Sequence, residues 1–187
     1  HMSEYLAILD SLLNTGTASL KGEVWSLNQQ AALMTDTPPK IMIAALGEQM
    51  LKIAGKRTDG TILWCVGPKT LEAQIVPVIN DAADSAGRPT PRVVCSLPVC
   101  VTDNPQPTRD FVGQMLAGYA ELPSYRAMLD IEGVHGVEEI SLIGDEATVN
   151  AGLDAIAAAG ATDFTAVVIP DSDGPARTLN LLQARTN

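Results

Sequence analysis

The 187-residue sequence has no apolar run near the roughly 20 residues that a bilayer-spanning helix needs. No membrane span is therefore expected. No signal peptide is recognisable, and His1-Met2 reads as a cloning scar. The chain is also short of positive charge: 12 Lys and Arg stand against 22 Asp and Glu, a net charge of −10. Nucleic acid and anionic membrane surfaces both call for basic patches, so neither is expected as a partner. Cysteine is scarce. Cys65, Cys95 and Cys100 form an odd set without metal-ligand spacing, and Cys95 and Cys100, five apart on an expected strand, point to opposite faces. They read as buried, reduced thiols of a cytoplasmic protein. His135 is the one histidine outside the scar, in a glycine-bearing loop and without a paired Asp, Ser or Cys pattern. The acidic pairs Glu138-Glu139 and Asp145-Glu146 read as solvated loop and helix-start charge. Hydrolytic and metal chemistry find no support.

What the sequence does have is a regular alternation of apolar runs and helical periods. A helix opens at Ser3, with Tyr5, Leu6, Leu9, Leu12 and Leu13 recurring on one face, and stops at Asn14-Thr15-Gly16. Thr17–Asn28 reads as a hairpin around Lys21-Gly22, and Thr35–Pro39 as a polar connection. Strands are expected at Lys40–Ala45, at Thr61–Val66, within Arg92–Thr102 (interrupted by Pro98), and at Asp163–Ile169. Helices follow them: Glu48 to about Ala54 with Gly55 as its stop, Pro68–Ala86 with a kink at Pro77, about Pro107–Tyr119, Glu146–Ala159, and Pro175–Ala184. Glu121–Glu138 reads as an irregular excursion. Asp145 is a fair N-cap and Gly160 a clean stop. Runs such as Ile41-Met42-Ile43 and Ala166-Val167-Val168-Ile169 are apolar on both faces, which calls for a parallel sheet joined by crossover helices. The fold class is α/β, with residues 3–187 as one domain: a lead-in over 3–39, then four βα units over 40–187.

The turn Ala44-Ala45-Leu46-Gly47-Glu48 carries the clearest chemical signal. A strand that ends in small residues and opens a helix aims unpaired backbone N–H groups at whatever lies above, which makes an anion site suited to a phosphate. A tight packing turn with no ligand has the same sequence. Glu48 complements the helix dipole but would repel a phosphate if its side chain turned inward. Val66-Gly67-Pro68-Lys69-Thr70 is a second such junction, with Pro at the first helical position and a cation beside it. It reads either as the rim of a pocket or as a well-capped helix start.

The run Pro39-Lys40-Ile41-Met42-Ile43-Ala44-Ala45-Leu46-Gly47-Glu48-Gln49-Met50-Leu51-Lys52-Ile53-Ala54-Gly55, with Thr58-Asp59-Gly60 after it, resembles the luciferase-like monooxygenase superfamily, in particular its deazaflavin (coenzyme F420)-dependent oxidoreductases. Ala86-Gly87-Arg88-Pro89, Leu97-Pro98-Val99 with Val101-Thr102-Asp103, Leu122–Leu129 and Gly144-Asp145-Glu146 agree with it. The resemblance implies the C-terminal half of a (β/α)8 barrel. It implies that Ala45, Leu46 and Gly47 hold the phosphate of F420, or alternatively of FMN; Gly67 and Lys69, at the second junction, are the further cofactor-binding candidates. The acid/base residues that the family places in its early strands have no positions here, so the catalytic residues are not legible.

Four other positions are weighed against plain structural roles. Trp64 lies near the end of the second strand, where a lone Trp is usually core. Tyr125-Arg126 sits in the excursion, with an Arg in reach of an anionic cofactor tail or simply on the surface. Arg177 lies at the start of the last helix, a position where many barrels bind phosphate. A half barrel leaves two open strand edges and an uncovered apolar interior, so the chain is expected to form a homodimer or to join a complementary N-terminal half. The leading function is an F420- or flavin-dependent oxidoreductase acting on a small-molecule substrate. The alternative is a non-catalytic, self-associating α/β half barrel that has lost the chemistry.

Overall fold

A computed structural model describes residues 1–32, 37–172 and 174–186. The expected connection Thr35–Pro39 lies partly outside the described residues. Helix α1 (Met2–Thr15) ends where Gly16 takes the left-handed conformation, φ 72°, and its amide bonds back to Leu12. An antiparallel hairpin of β1 (Thr17–Lys21) and β2 (Ser26–Gln30) follows. The Glu4 carboxylate of α1 accepts the amides of Glu23, Val24 and Trp25 at 2.9–3.1 Å, and so ties the hairpin turn to the helix.

The main sheet has five strands, and every pairing in it is parallel. Strand β3 (Met42–Ala44) pairs with β4 (Gly60–Trp64), and β4 with the first half of β5 (Arg92–Val101). Short β6 (Leu142–Gly144) pairs with the last residues of β5, and β7 (Asp163–Val168) runs along its other side. The helices are α2 (Glu48–Arg57), α3 (Pro68–Thr70) running through a π-helical turn (Leu71–Ile75) into α4 (Val76–Ser85), α5 (Pro105–Ala120), α6 (Pro123–Glu132), α7 (Val137–Ile140), α8 (Glu146–Ala158) and α9 (Ala176–Ala184). This is an α/β fold of parallel βα units.

Pro98 does not interrupt its strand. In a parallel strand the amide and carbonyl of one residue point to the same side. Val93 and Val99 carbonyls accept from Thr162 and Ile169 on the β7 side, whereas Ser96 accepts from Cys65 on the β4 side. Pro98 therefore turns its missing N–H toward the β4 side. There β4 has ended opposite Ser96 and β6 starts only opposite Val99, so no ladder bond is lost.

Three further expectations change. Gly55 does not stop α2; it lies inside the helix, where a Cβ would meet the Ile79 carbonyl of α4. The helix expected over Pro68–Ala86 is not α-helical throughout: a π-helical turn, Leu71–Ile75, lies just before Pro77. The excursion 121–138 is mostly helical, because Pro123 sits at the first position of α6 and Gly133, φ 77°, ends it.

The sheet is covered on one face. Val93, Cys95 and Leu97 of β5 and Leu63 of β4 pack with Leu51 and Ala54 of α2, Ile79 of α4 and Ile156 of α8. Val99 and Val101 continue this face against Val149, Leu153 and Leu181 of α8 and α9. The other face carries Ala44, Ile62, Thr165 and Val167, and they are exposed, Ile62 by 48% and Val167 by 37%. The expectation of strands buried on both faces holds for β5 alone. Among the described residues no second layer covers the rest.

Candidate functional site

The five βα turns open at one end of the sheet because every strand in it is parallel. In such sheets ligands bind beyond the carboxyl ends of the strands. At the end of β3, Ala45 is buried, Leu46 is half-buried and Gly47 is exposed. Gly47 is the N-cap of α2 with extended backbone, φ −80° and ψ 151°, and offers no side chain to cap it. The first bond of the helix runs from the Leu51 amide to the Gly47 carbonyl, 3.0 Å, so the amides of Glu48, Gln49 and Met50 precede the helical ladder. A Cβ on Gly47 would meet nothing within 4 Å: the approach is open. The Glu48 side chain pairs with Lys52 one turn on, which holds its carboxylate along the helix and lowers its pKa. Gln74 donates to the Leu46 carbonyl at 3.1 Å and fixes the turn from the side of the π-helical segment. A phosphate fits this seat chemically, as a ready row of donors with no side chain in the way.

The turn after β4 is built differently. Its helix start is already occupied by a carboxylate from the same chain. Glu132, 4% exposed at the end of α6, accepts the Thr70 amide at 2.6 Å and the Lys69 amide at 3.3 Å. The Lys69 ammonium donates to the Glu132 carbonyl at 2.7 Å, and a Cβ on Gly67 would strike the Glu132 carboxylate. Gly67 and Lys69 thus face an internal anion. Glu132 was not legible from sequence, since a Glu before a Gly at a helix end has the look of a solvated residue.

Beside this turn Cys65 takes φ 55°, the left-handed region, unusual for a residue with a Cβ. The strand ends there: the Cys65 amide turns to the Ser96 carbonyl, and the Cys95 thiol donates to the Val66 carbonyl at 3.3 Å. Burial pushes Cys65 and Cys95 up to about 12, with the Cys95 thiol a lesser cause for Cys65 and the Glu132 carboxylate for Cys95. All three cysteines are buried and free, as expected. Half-buried Trp64 meets Tyr119 edge-on, centroids 6.4 Å apart, and Tyr119 meets Tyr125 at 4.7 Å.

The two candidate arginines are engaged elsewhere. Arg126 bonds Asp130 and the carbonyls of Val134 and His135 at 2.6–2.8 Å, clamping the link from α6 to α7. Arg177 bonds Glu146 at 2.6–2.7 Å and Asp103 at 3.0 Å, and these carboxylates raise its pKa. Of the acidic pairs, Asp145 caps α8 through the Thr148 amide at 2.8 Å. Glu139 is more than a solvated charge: it accepts the His135 and Gly136 amides ahead of α7, which lowers its pKa. Among the described residues no group of His, Cys, Asp and Glu is placed to hold a metal ion. No helix there is long and apolar enough to cross a membrane.

Comparison with solved structures finds the same fold repeatedly. An F420-dependent secondary alcohol dehydrogenase in complex with an F420-acetone adduct superposes with TM-score 0.74 at 18% identity, over 97% of this chain and 60% of its own. The coenzyme F420-dependent tetrahydromethanopterin reductase from Methanopyrus kandleri gives TM-score 0.70 at 18% identity, with the same coverage. The oxygenating constituent of 3,6-diketocamphane monooxygenase from Pseudomonas putida, in complex with FMN, gives 0.65 at 18% identity, over 96% of this chain and 59% of its own. The chain thus spans about 60% of the length of these proteins, and its fold is similar to part of their barrel. No curated protein matches it by sequence. The family model described as luciferase-like monooxygenase matches residues 1–163, and the chain belongs to that family.

Proposed function

We propose that this chain supplies the cofactor-phosphate end of an F420-linked oxidoreductase of the luciferase-like type, with FMN as the alternative cofactor. The observation that carries the reading is the Gly47 seat: three amides ahead of the α2 ladder, open to solvent, at the ligand-binding edge of a parallel sheet. Ala45 and Leu46 set the turn's height above β3, and Gly47 admits the phosphate to the amides. When bound, the cofactor supplies the hydride chemistry; the protein's part is grip, orientation and exclusion of water. Gly67 and Lys69 shape the adjoining wall through Glu132 and take no part in the phosphate grip. Trp64 and Tyr119 form the apolar side of the mouth.

The exposed face at Ile62 and Val167, and the edges of β3 and β7, support a further step. A second copy or a complementary set of βα units covers them and completes the barrel. The same exposed face is what a self-associating, non-catalytic half barrel would present, and cofactor binding separates the two readings.

The test is a titration of F420 and of FMN into the purified chain, followed by fluorescence, alongside Gly47→Asp. An Asp at an N-cap turns its carboxylate onto the first amides of its own helix, and it is a slightly better cap than Gly, by a few tenths of a kcal/mol. Gly47→Asp is therefore expected to hold or raise the melting temperature while abolishing cofactor binding. Equal affinity in the variant removes the Gly47 assignment, and no binding by either protein favours the non-catalytic reading.

A further inference from the structure

Among the described residues, the strands of the lead-in hairpin pair with each other and with no strand of the main sheet. At one end of the hairpin the Gly22 amide donates to the Trp25 carbonyl at 2.9 Å. At the other the Ala31 amide donates to the Gly16 carbonyl at 2.7 Å. Only every second pair of an antiparallel ladder exchanges bonds, so between those ends Leu27 and Gln29 face β1, while Ser26, Asn28 and Gln30 face away. The amides of these three have no partner among the described residues.

An open edge of this kind is ordinarily blunted by charge, proline or a bulge. Residues 24–32 carry neither charge nor proline, and the pairing from Thr17 with Gln30 to Lys21 with Ser26 has no bulge. The edges of the main sheet differ: Lys40 precedes β3 and Asp163 begins β7. Beside the β2 edge the turn is fixed, since Glu4 holds the amides of Glu23, Val24 and Trp25. It presents Trp25, 47% exposed, next to Tyr5, with ring centroids 6.4 Å apart. A two-stranded hairpin is only marginally stable in water, and further strands stabilise it.

We propose that β2 is a dimer edge: a second copy of this chain pairs with it antiparallel, with Asn28 on the two-fold axis. The contact is self-complementary, as an isologous interface must be. Ser26 exchanges two main-chain bonds with Gln30 of the second copy, Asn28 with Asn28, and Gln30 with Ser26, which makes one four-stranded sheet. The Gln30 carbonyl accepts from the Gln29 side chain at 3.2 Å and keeps a second lone pair for this bond. Trp25 comes opposite Ala31 of the second copy and serves as an aromatic anchor. Charge selects the occupant. Two chains of net charge −10 repel each other except where neither brings a charge, and residues 24–32 are such a stretch at an open edge. A basic peptide, which the net charge would otherwise attract, finds no carboxylate along the strand. This contact is separate from completion of the barrel, which uses the edges of β3 and β7, and it does not rest on the cofactor reading.

Sedimentation equilibrium of the purified chain tests it, and a concentration-dependent dimer is expected. Asn28→Lys, at an exposed position, sets two ammonium groups opposite each other on the axis. It is expected to weaken dimerisation at least about tenfold and to leave the circular dichroism unchanged. Amide exchange on the 15N-labelled chain locates the contact. The amides at positions 26, 28 and 30 are expected to exchange slowly in the wild-type dimer and fast in the variant, while those of Leu27 and Gln29 are protected in both. A chain that stays monomeric at the concentrations of NMR overturns the proposal, as does a variant that dimerises as tightly as wild type. So does a dimer in which the three outward amides stay unprotected, since its contact then lies on another surface. The Gly47 seat belongs to the main sheet, so F420 or FMN binding stands or falls independently of either outcome.

Discussion

The carboxylate of Glu132 accepts the Thr70 amide across 2.6 Å, although 62 residues separate them in sequence. It also takes the Lys69 amide, so one buried acid caps a helix start at the mouth of the sheet. Glu132→Ala would strand these donors in an apolar setting. The expected loss is about 2–3 kcal/mol of unfolding free energy, with Glu132→Gln, which keeps one acceptor, losing roughly half as much. Urea denaturation measures both, and an unchanged midpoint in the alanine variant would mean that the cap is dispensable.

Gly55 offers a case where the ordinary helix rule reverses. In a helix interior Gly→Ala normally stabilises by about 1 kcal/mol. Here the added methyl would meet the Ile79 carbonyl and, at 2.9 Å, the Ala82 Cβ. Gly55→Ala is therefore expected to destabilise by about 1–3 kcal/mol, as overpacking does. A variant more stable than wild type would show that α2 and α4 can move apart freely.

The link between α1 and the hairpin is expected to weaken in acid. Three backbone amides, Trp25 foremost, hold Glu4 below its ordinary value of 4.5. A carboxylate with a depressed folded-state pKa stabilises fully above its unfolded value, and that contribution fades as pH falls through the folded one. The Trp25 amide resonance should therefore titrate below pH 4.5 in wild type and stay flat in Glu4→Gln. A Trp25 amide that titrates equally in both would assign the transition to another group.

The three thiols should be silent in the native state. Cys65 and Cys95 are pushed up to about 12 by burial, and Cys100 is raised by the same cause. Thiolate is the reacting form, so Ellman's reagent at pH 8 is expected to label none of the three until denaturant is added. Rapid labelling of any one would place it on an opening segment.

The legible parts of this chain are those whose causes are local. Gly16 and Gly133 end helices because left-handed backbone is cheap only without a Cβ. Asp145 caps α8 because its carboxylate reaches an amide three residues on. The Gly47 turn was readable because its meaning lies in a strand and a helix directly joined. The family resemblance rested on the same short segments, and the family model confirms it over residues 1–163.

What sequence could not show is set by partners far along the chain. Pro98 reads as a break until β4 is seen to end and β6 to begin on either side of it. Gly55 reads as a stop until α4 is laid against it. Lys69 and Arg177 read as free cations until Glu132, Glu146 and Asp103 are brought to them. Sequence by itself determined the α/β class and the small-residue turn that opens α2, since each follows from periodicity and backbone geometry within a few residues; it did not show short β6, the fifth strand of a sheet expected to have four. Tertiary structure alone decided which charges are already spent and which face of the sheet stays open, because a charge is cancelled and a surface covered only by groups that folding carries in from elsewhere.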